Sequence, residues 1–233
     1  MLMKQFKIVC AADIHGSSLV LARVSGVARE ANADLIILAG DIVLHQIYNG
    51  FIDLLHAAAK HARCPIIGVA GNHDFWKIAK HFPDNAAYVA GTKKITKKSV
   101  IFLHEQEITY KGLKFWGSPY TSVYGNWNYQ LPVDKLKFNP SIDTDVLITH
   151  SPPAFFNGSI TSDNRDIGSE ELTVVAESLP QLKLFIFGHN HQGAGYIGRL
   201  NNGATIINAA CHTEDMRFNP QGIITVTVHN ENS

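Results

Sequence analysis

The sequence has few cysteines, no long apolar run and no excess of either charge, and each absence disfavours a class of protein. Its three cysteines are odd in number and lack C-x-x-C spacing, which argues against a disulfide framework and a thiolate zinc site. No apolar stretch approaches the roughly 18 residues that a membrane helix needs. Basic and acidic residues number 20 each, so we expect no basic surface for duplex nucleic acid or an anionic membrane.

The length and composition of the chain favour a single globular unit. A chain of 233 residues with 45% hydrophobic residues is long enough to bury a large core. We therefore expect one domain over residues 1–233. The apolar run at residues 6–12 is too short for the core of a signal peptide, so we expect a cytoplasmic protein without a membrane partner. The sequence is compatible with a homodimer.

Five apolar runs in the sequence each end abruptly in polar side chains. Such a run, followed by a turn, is typical of a buried strand that leads into a loop. The runs cover residues 8–12, 35–39, 66–70, 146–149 and 184–187. The polar residues that follow them are Asp13, His15, Asp41, Asn72, His73, Asp74, His150, His189 and His191.

The order of the predicted elements indicates where these side chains meet. Strand and helix alternate in the first third of the chain, with helices predicted from Ser17 or Ser18 and over residues 51–62. This βαβαβ pattern predicts a mainly parallel sheet, which binds ligands beyond the carboxyl ends of its strands. The sequence then predicts short antiparallel strands over residues 99–103, 107–110 and 113–117. Residues 118–139 are predicted to form a long functional loop. A helix over residues 169–178 and alternating strands over 196–199, 204–209 and 223–228 complete the prediction.

The chemistry of these side chains points to a pair of metal ions. One carboxylate can bridge two divalent cations about 3.5 to 4 Å apart, which activate water and stabilise an in-line displacement at phosphorus. Mixed carboxylate, imidazole and amide ligation without thiolate favours Mn, Fe, Zn or Co over Ca. We expect two such ions, with Mn favoured. The seven predicted ligands are Asp13, His15, Asp41, Asn72, His150, His189 and His191.

The motifs around these residues, taken in order, resemble the five blocks of the calcineurin-like metallophosphoesterases. The blocks are Asp13-x-His15, Gly40-Asp41, Gly71-Asn72-His73-Asp74, Thr149-His150 and Gly188-His189-Asn190-His191. The resemblance implies an α/β fold with four αββα layers, in which helices flank two mixed sheets. It also implies that Asp13, His15, Asp41 and His191 hold one metal, and that Asp41, Asn72, His150 and His189 hold the other. A hydroxide shared by the metals would be the nucleophile, and His73, oriented by Asp74, would hold the phosphate and protonate the leaving oxygen.

A second set of motifs narrows the resemblance. Five segments resemble the small phosphodiesterases related to the brain 239 metallophosphoesterase-domain proteins: residues 116–120, 126–129, 147–153, 168–172 and 207–209. This resemblance implies hydrolysis of cyclic nucleotides or of other phosphodiesters. Three departures bear on substrate choice. Ser151 stands where the subfamily usually has glycine, Asp74 where it usually has glutamate, and the Asp41 block lacks the arginine of protein Ser/Thr phosphatases.

Several aromatic residues and histidines have a structural interpretation beside the functional one. Trp116, Tyr120 and Trp127 are candidates for stacking on a nucleotide base, and they and Tyr129 could equally pack the loop. Seven further histidines are interpreted as surface or core residues: His45, His56, His61, His81, His104, His212 and His229. Glycines 71 and 188 are expected to form tight turns that bring ligands inward.

The sequence thus predicts a dinuclear-metal-dependent phosphodiester hydrolase that acts on a small phosphate ester, with cyclic or small nucleotides favoured. Two alternatives stay open. One is a phosphomonoesterase that acts on a small phosphorylated metabolite. The other is a non-catalytic protein-binding scaffold of the same fold, which the presence of all seven ligands and His73 disfavours.

Overall fold

Two large sheets lie face to face in the computed structural model, which describes residues 4–43, 49–75 and 78–230. The described strands are β1 Lys4–Ala11, β2 Leu35–Ala39, β3 Ile66–Val69, β4 Val100–Leu103, β5 Gln106–Tyr110, β6 Leu113–Ser118, β7 Thr121–Ser122, β8 Gln130–Leu131, β9 Val146–Thr149, β10 Leu184–Phe187, β11 Ile197–Arg199, β12 Thr205–Asn208 and β13 Ile224–Asn230. The described α-helices are α1 Ser18–Glu30, α2 Asn49–Ala62, α3 Asn85–Val89 and α4 Glu170–Ser178.

Each sheet is mixed, with parallel strands at its centre. The first has the order β13-β1-β2-β3-β4, in which only β13 runs antiparallel to its neighbour among the described strands. The second has the order β11-β12-β10-β9-β6-β5, with the two edge strands antiparallel to their neighbours. A small two-stranded sheet pairs β7 with β8. Because the central strands are parallel, their carboxyl ends lie along the same edge of each sheet.

Three apolar clusters define the four layers. One lies between the first sheet and helices α1 and α2, the second lies between the two sheets, and the third lies between the second sheet and α4. The central cluster is formed by apolar side chains that alternate with those of the outer clusters along each strand, as in Ile8, Cys10 and Ala12. This arrangement confirms the predicted αββα architecture.

The three predicted helices are present as α1, α2 and α4, and α1 and α4 begin at a serine cap. Ser17 Oγ accepts a hydrogen bond from the amide of Val20 at 3.3 Å, and helix α1 begins at the next residue. Ser169 Oγ does the same for the amide of Leu172 at 3.2 Å and begins helix α4. Each cap satisfies an amide that the first helical turn leaves without an intrahelical partner.

Two strand predictions were wrong. Strand β4 was expected to pair antiparallel with the strand after it, but it runs parallel to β3 in the first sheet, and the chain then crosses to the second sheet. β4 is an edge strand, but all four of its side chains are buried because apolar clusters cover both of its faces, unlike an antiparallel hairpin with one wet face. Strand β12 was expected to alternate, but Ile206, Ile207 and Asn208 are all buried. Ile207 packs in the central cluster and Ile206 in the cluster under α4, so both faces of the strand are covered. Strand β13 does alternate.

In the part of the chain that the structure describes, no helix combines the length and apolar character needed to span a membrane.

Candidate metal centre

The loops at the carboxyl ends of five strands bring the seven predicted ligands together. β1 leads to Asp13 and His15, β2 to Asp41, β3 to Asn72, β9 to His150, and β10 to His189 and His191. Ligand atoms of Asp13, His15 and His191 lie within 4.8 Å of one another, and so do those of Asp13, Asp41 and His150. The two carboxylates therefore lie at the centre of the cluster and the imidazoles around it.

Individual distances show how closely the groups approach. His191 Nε2 lies 3.3 Å from Asp13 Oδ1 and 3.2 Å from His15 Nε2. His150 Nε2 lies 3.3 Å from Asp41 Oδ2 and 3.0 Å from the Oδ1 atom of Asn72. Asp41 is thus within reach of both halves of the cluster, because its Oδ2 is also 3.9 Å from His15 Nε2.

Two of the histidines have one ring nitrogen held by a backbone carbonyl. His150 Nδ1 lies 3.0 Å from the carbonyl oxygen of Ala39, and His191 Nδ1 lies 3.1 Å from that of Thr213. Donation from Nδ1 leaves Nε2 as the ligand atom on each ring, and Nε2 is the atom that faces the carboxylates.

The backbone at this edge is strained. Asp13, His15, Asp41 and His189 have φ angles of 53°, 47°, 51° and 70°, in the left-handed region that side chains other than glycine rarely adopt. Such conformations cost about 1–3 kcal/mol each, and they cluster where function requires a particular geometry. Four of the seven predicted ligands share this feature.

Glycines beside the ligands leave the space that the ligand side chains occupy. A Cβ atom at Gly71 would lie 2.2 Å from Asp41 Oδ1, and one at Gly188 would lie 2.5 Å from Asp13 Oδ2. Both glycines stand at the expected tight turns, because the Gly71 carbonyl oxygen accepts a hydrogen bond from the amide of Asp74 at 3.1 Å and that of Gly188 accepts one from the amide of Asn190 at 2.8 Å. Neither glycine is among the described residues with positive φ, so each is required there for space and not for its backbone conformation. Gly40 combines both needs, because its φ is 91° and a Cβ would lie 2.2 Å from His150 Nδ1.

Electrostatics favour ionised carboxylates in the cluster. Burial alone would raise the pKa of Asp13, but the hydrogen bond and charge of His191 hold that pKa below its usual value. Burial likewise opposes ionisation of Asp41, and His150 more than offsets it, so the pKa of Asp41 is also lowered. In return, although burial lowers the pKa of His150, Asp41 raises it to about 9.

Two other imidazoles of the cluster, those of His15 and His189, favour the neutral form. Burial is the main cause that lowers the pKa of His15 to about 4 and that of His189 to about 3. A neutral imidazole and an ionised carboxylate are the forms that bind metals. The donor set of two buried carboxylates, imidazoles and one amide oxygen, without thiolate, therefore fits a pair of divalent transition-metal ions.

Comparison with known proteins shows which family the chain belongs to. The sequence model of the calcineurin-like phosphoesterases matches residues 6–193, which include all seven clustered side chains. The chain belongs to this family. Metallophosphoesterase domain-containing protein 1 of Homo sapiens is 30% identical over 130 residues, or 53% of this chain and 39% of the human protein. The chain thus spans well under half of the length of that relative, and the mouse protein of the same name gives the same values.

Solved structures share the architecture of this calcineurin-like phosphoesterase at low sequence identity. A Thermus thermophilus protein has a TM-score of 0.60 at 14% identity, and the match covers 89% of this chain and 90% of that one. A dimetal phosphatase from Danio rerio has a TM-score of 0.55 at 12% identity, over 87% and 86% of the two chains. These likenesses establish the fold alone.

The two other residues of the Asn72 motif lie beside the cluster of this calcineurin-like phosphoesterase. The amide of His73 donates a hydrogen bond to Asp41 Oδ1 at 2.8 Å, and its ring lies 5.2 Å from that of His15. The Asp74 carboxylate accepts hydrogen bonds from the amides of Ile42, Val43 and Gly71. Asp74 therefore fastens the loops after β2 and β3 to each other, and its expected role in orienting His73 stays a prediction.

A cavity of about 520 Å³ opens beside the cluster. It is lined by Asp41, His73, Ser122, Tyr124, Thr161, Arg165, Asp166, Ile167, His189, Asn190, His191 and Glu214. The sequence analysis named four of these as site residues, and it missed Tyr124, Arg165 and Glu214. The only sequence signal for Tyr124 is its place in the long aromatic loop that was expected to be functional.

The three aromatic residues proposed for stacking lie in different environments. Trp127 is 40% exposed, and its ring centroid lies 4.4 Å from that of His73, so it can contact a molecule bound beside His73. Trp116 is 3% exposed and packs against Phe138 in the cluster under α4, which rules out the stacking role predicted for it. The Tyr120 hydroxyl lies 3.0 Å from His104 Nε2, and Tyr120 does not line the cavity.

One of the histidines interpreted as structural, His212, lies beside the cluster. His212 is buried, its Nδ1 lies 2.6 Å from the carbonyl oxygen of Asp13, and its ring centroid is 5.7 Å from that of His15. It therefore supports the backbone of the first ligand loop. His45 lies outside the described residues.

Proposed function

We propose that this calcineurin-like phosphoesterase is a dinuclear-metal-dependent phosphodiester hydrolase. The observation that supports it most is the clustering of the seven predicted ligands beside a cavity. Ligand atoms of Asp13, His15, Asp41, His150 and His191 form two groups that share Asp13 and lie within 4.8 Å of one another in each, Asn72 Oδ1 lies 3.0 Å from His150 Nε2, and the His189 ring centroid lies 5.0 Å from that of His150. Asp13, His15, Asp41 and His191 would hold one divalent ion, and Asp41, Asn72, His150 and His189 the other. When bound, the ions would activate a water molecule and stabilise charge on the phosphoryl oxygens.

The residues of the chain supply the remaining steps. The ring of His73 lines the cavity beside Asp41, where it can hold the phosphate and give a proton to the leaving oxygen. Trp127 packs against the His73 ring and limits the directions in which that ring can face. Asp74 joins the two loops that carry Asp41 and His73, so it keeps the base of the site in place.

The charge of the cavity wall favours a diester over a monoester. At neutral pH a phosphodiester carries one negative charge, whereas a monoester carries close to two, because its second pKa is about 6. Beyond the ligand cluster, the described wall has two carboxylates, Asp166 and Glu214, and one guanidinium, Arg165. Such a wall repels a dianion more than a monoanion. The cavity volume of about 520 Å³ also leaves room for two ester groups.

The substrate class that we propose is cyclic or small nucleotides and related esters. Trp127 supports this proposal because it presents a partly exposed indole next to His73, and aromatic faces commonly stack on nucleotide bases. A panel of cyclic nucleotides tests the class directly. Equal rates on nucleotide and simple alkyl diesters would contradict it.

Hydrolysis of chromogenic substrates tests the reaction. Metal-stripped protein, reconstituted with Mn²⁺, is assayed with bis-p-nitrophenyl phosphate and p-nitrophenyl phosphate. We expect diester cleavage to dominate and to require metal. With an alkyl diester assayed beside the chromogenic substrates, the rate should fall by at least about 100-fold in His73→Ala, because a general acid typically contributes 10² to 10⁴ to the rate. Asn72→Ala should lose both metal and activity. His229→Ala, which changes an exposed histidine on β13, is the matched control.

Two outcomes would favour the alternatives. Cleavage of the monoester alone would make the chain a phosphomonoesterase with the same centre. Cleavage of neither substrate by protein that has bound two equivalents of metal would favour the protein-binding scaffold.

A further inference from the structure

Tyr124 occupies a position beside the metal centre that the known motifs do not assign. It belongs to the loop between β7 and β8, and its ring centroid lies 5.4 Å from that of His189. Its hydroxyl lies 3.0 Å from the Nδ2 atom of Asn72. Tyr124 thus contacts two predicted ligands of the same metal, although it is 58% exposed and lines the cavity.

The first consequence concerns the side-chain amide of Asn72. Its Oδ1 atom faces His150 Nε2 at 3.0 Å, while its Nδ2 atom donates to the Tyr124 hydroxyl. An amide can present either end to a metal, but only the oxygen is a ligand. Because the Tyr124 oxygen accepts from Nδ2, it stabilises the orientation in which Oδ1 points into the cluster.

The second consequence concerns the proton of the Tyr124 hydroxyl. A phenol oxygen that accepts a hydrogen bond from Asn72 still has its own O–H to donate. No acceptor for that proton is present among the described residues, and the side chain opens onto the cavity. The donor therefore faces the space in which a phosphoryl group bound at the cluster would lie.

The loop that carries Tyr124 is fixed to the strand-end loop that it contacts. The amide of Asn128 donates to the carbonyl oxygen of Asn72 at 3.2 Å, and Asn128 Nδ2 donates to that of Asp74 at 2.8 Å. The amide of Val123 donates to the carbonyl oxygen of Leu131 at 3.2 Å within the loop. Tyr124 is consequently held in place relative to Asn72, as a donor must be to contribute to catalysis.

We propose that Tyr124 positions the Asn72 amide for metal binding and donates a hydrogen bond to a non-bridging oxygen of the substrate phosphoryl group. Only the second part, the hydrogen bond to the substrate, rests on the proposed phosphoester hydrolysis. His73 follows Asn72 directly in the sequence and serves the leaving oxygen in the proposal above. Tyr124 would therefore complete the set of groups around the phosphoryl group, on the side of His189.

Tyr124→Phe tests both parts, because it removes the hydroxyl and keeps the ring against His189. Binding of Mn²⁺ to metal-stripped protein is measured by calorimetry, and inhibition by inorganic phosphate and the kinetics of diester hydrolysis are measured at saturating Mn²⁺. We expect Mn²⁺ affinity to fall about 10-fold, in the range typical of lost outer-shell partners. Phosphate should inhibit more weakly, and kcat/KM should fall about 10- to 100-fold, as for a lost hydrogen bond to a charged group.

Tyr110→Phe is the matched control, since Tyr110 ends β5 at the opposite edge of the second sheet from the cluster. Unchanged Mn²⁺ affinity, phosphate inhibition and kcat/KM in Tyr124→Phe would overturn the inference while the hydrolase activity of the unmodified protein still stood. Weaker Mn²⁺ binding alone, with normal kinetics at saturating metal, would overturn the part that concerns substrate. If the unmodified protein bound Mn²⁺ but hydrolysed nothing, the proposed function would fail. Binding of Mn²⁺ and phosphate would still test this inference, and unchanged binding of both in Tyr124→Phe would overturn it.

Discussion

Gly71→Ala should weaken metal binding strongly, although it changes none of the predicted ligands. An ideal Cβ at residue 71 would lie 2.2 Å from Asp41 Oδ1, 2.4 Å from the Asp41 amide nitrogen and 2.7 Å from His150 Nε2. The backbone of Gly71 is not in the left-handed region, so alanine is tolerated there conformationally. The whole effect of the substitution must therefore come from the space that one methyl group takes.

The size of the displacement sets the expected magnitude. Ordinary contacts between heavy atoms lie near 3.5 Å, so the Asp41 oxygen must move by roughly 1 Å. Metal sites tolerate deviations of only about 0.2 Å in ligand distance. Since Asp41 is the proposed bridging ligand, we expect the affinity for Mn²⁺ to fall by at least about 100-fold. Overpacking of the buried loop should also lower the free energy of unfolding by about 1–3 kcal/mol.

Calorimetric titration with Mn²⁺ and urea denaturation measure the two effects. The control is Gly26→Ala, in helix α1, where a Cβ would meet nothing within 4 Å. That variant should bind Mn²⁺ normally and be more stable by about 0.5–1 kcal/mol, as expected for alanine in a helix interior. A Gly71→Ala protein that bound two Mn²⁺ ions with unchanged affinity would refute the reasoning, because the loop would then have made room at no cost.

Two further predictions concern residues away from the ligands. Asn85→Ala should lower the free energy of unfolding, measured by urea denaturation, by about 2–4 kcal/mol. The Asn85 side chain is hydrogen-bonded to both the amide and the carbonyl of Phe102 on the edge strand β4, and the substitution would leave both groups unsatisfied. A loss below about 1 kcal/mol would mean that water replaces the side chain. Trp127→Ala should lower kcat/KM for the diester with little change in the urea midpoint, whereas Trp116→Ala should lower the free energy of unfolding by about 3–5 kcal/mol. Loss of stability in Trp127→Ala, or loss of kcat/KM without loss of stability in Trp116→Ala, would contradict the placement of these rings.

The fold could be predicted from the sequence wherever local signals and the final packing agree. Ser17 and Ser169 cap helices that have an apolar stripe, and both helices lie within a few residues of the predicted bounds. The strand pairing of β4 and the burial of β12 were not predictable in this way. Both strands are short and apolar, and which sheet such a strand joins depends on partners that are distant in the sequence.

The clustering of the seven predicted ligands could be anticipated because each follows a buried strand within a few residues, and parallel strands end at a shared edge. Their role as metal ligands stays a prediction. The cavity wall could not be predicted in the same way. Tyr124 and Arg165 lie in loops whose paths are set by hydrogen bonds to residues far away in the sequence. Asn190, for example, donates to the carbonyl oxygens of Gly158 and Ile160, about thirty residues earlier in the chain.

These loop contacts couple the cavity wall to the metal centre, because they are made by residues within the ligand motifs. Asn190 lies between two predicted ligands, His189 and His191, and its side chain holds the loop that carries Arg165. On the other wall, the carbonyl oxygen of Asn72, a predicted ligand, accepts from the amide of Asn128 in the loop that carries Tyr124. A change in the position of either loop must therefore be transmitted to ligand backbone, some of which is already strained. We therefore expect variants of the cavity wall to change both substrate choice and metal affinity, and both should be measured for each variant.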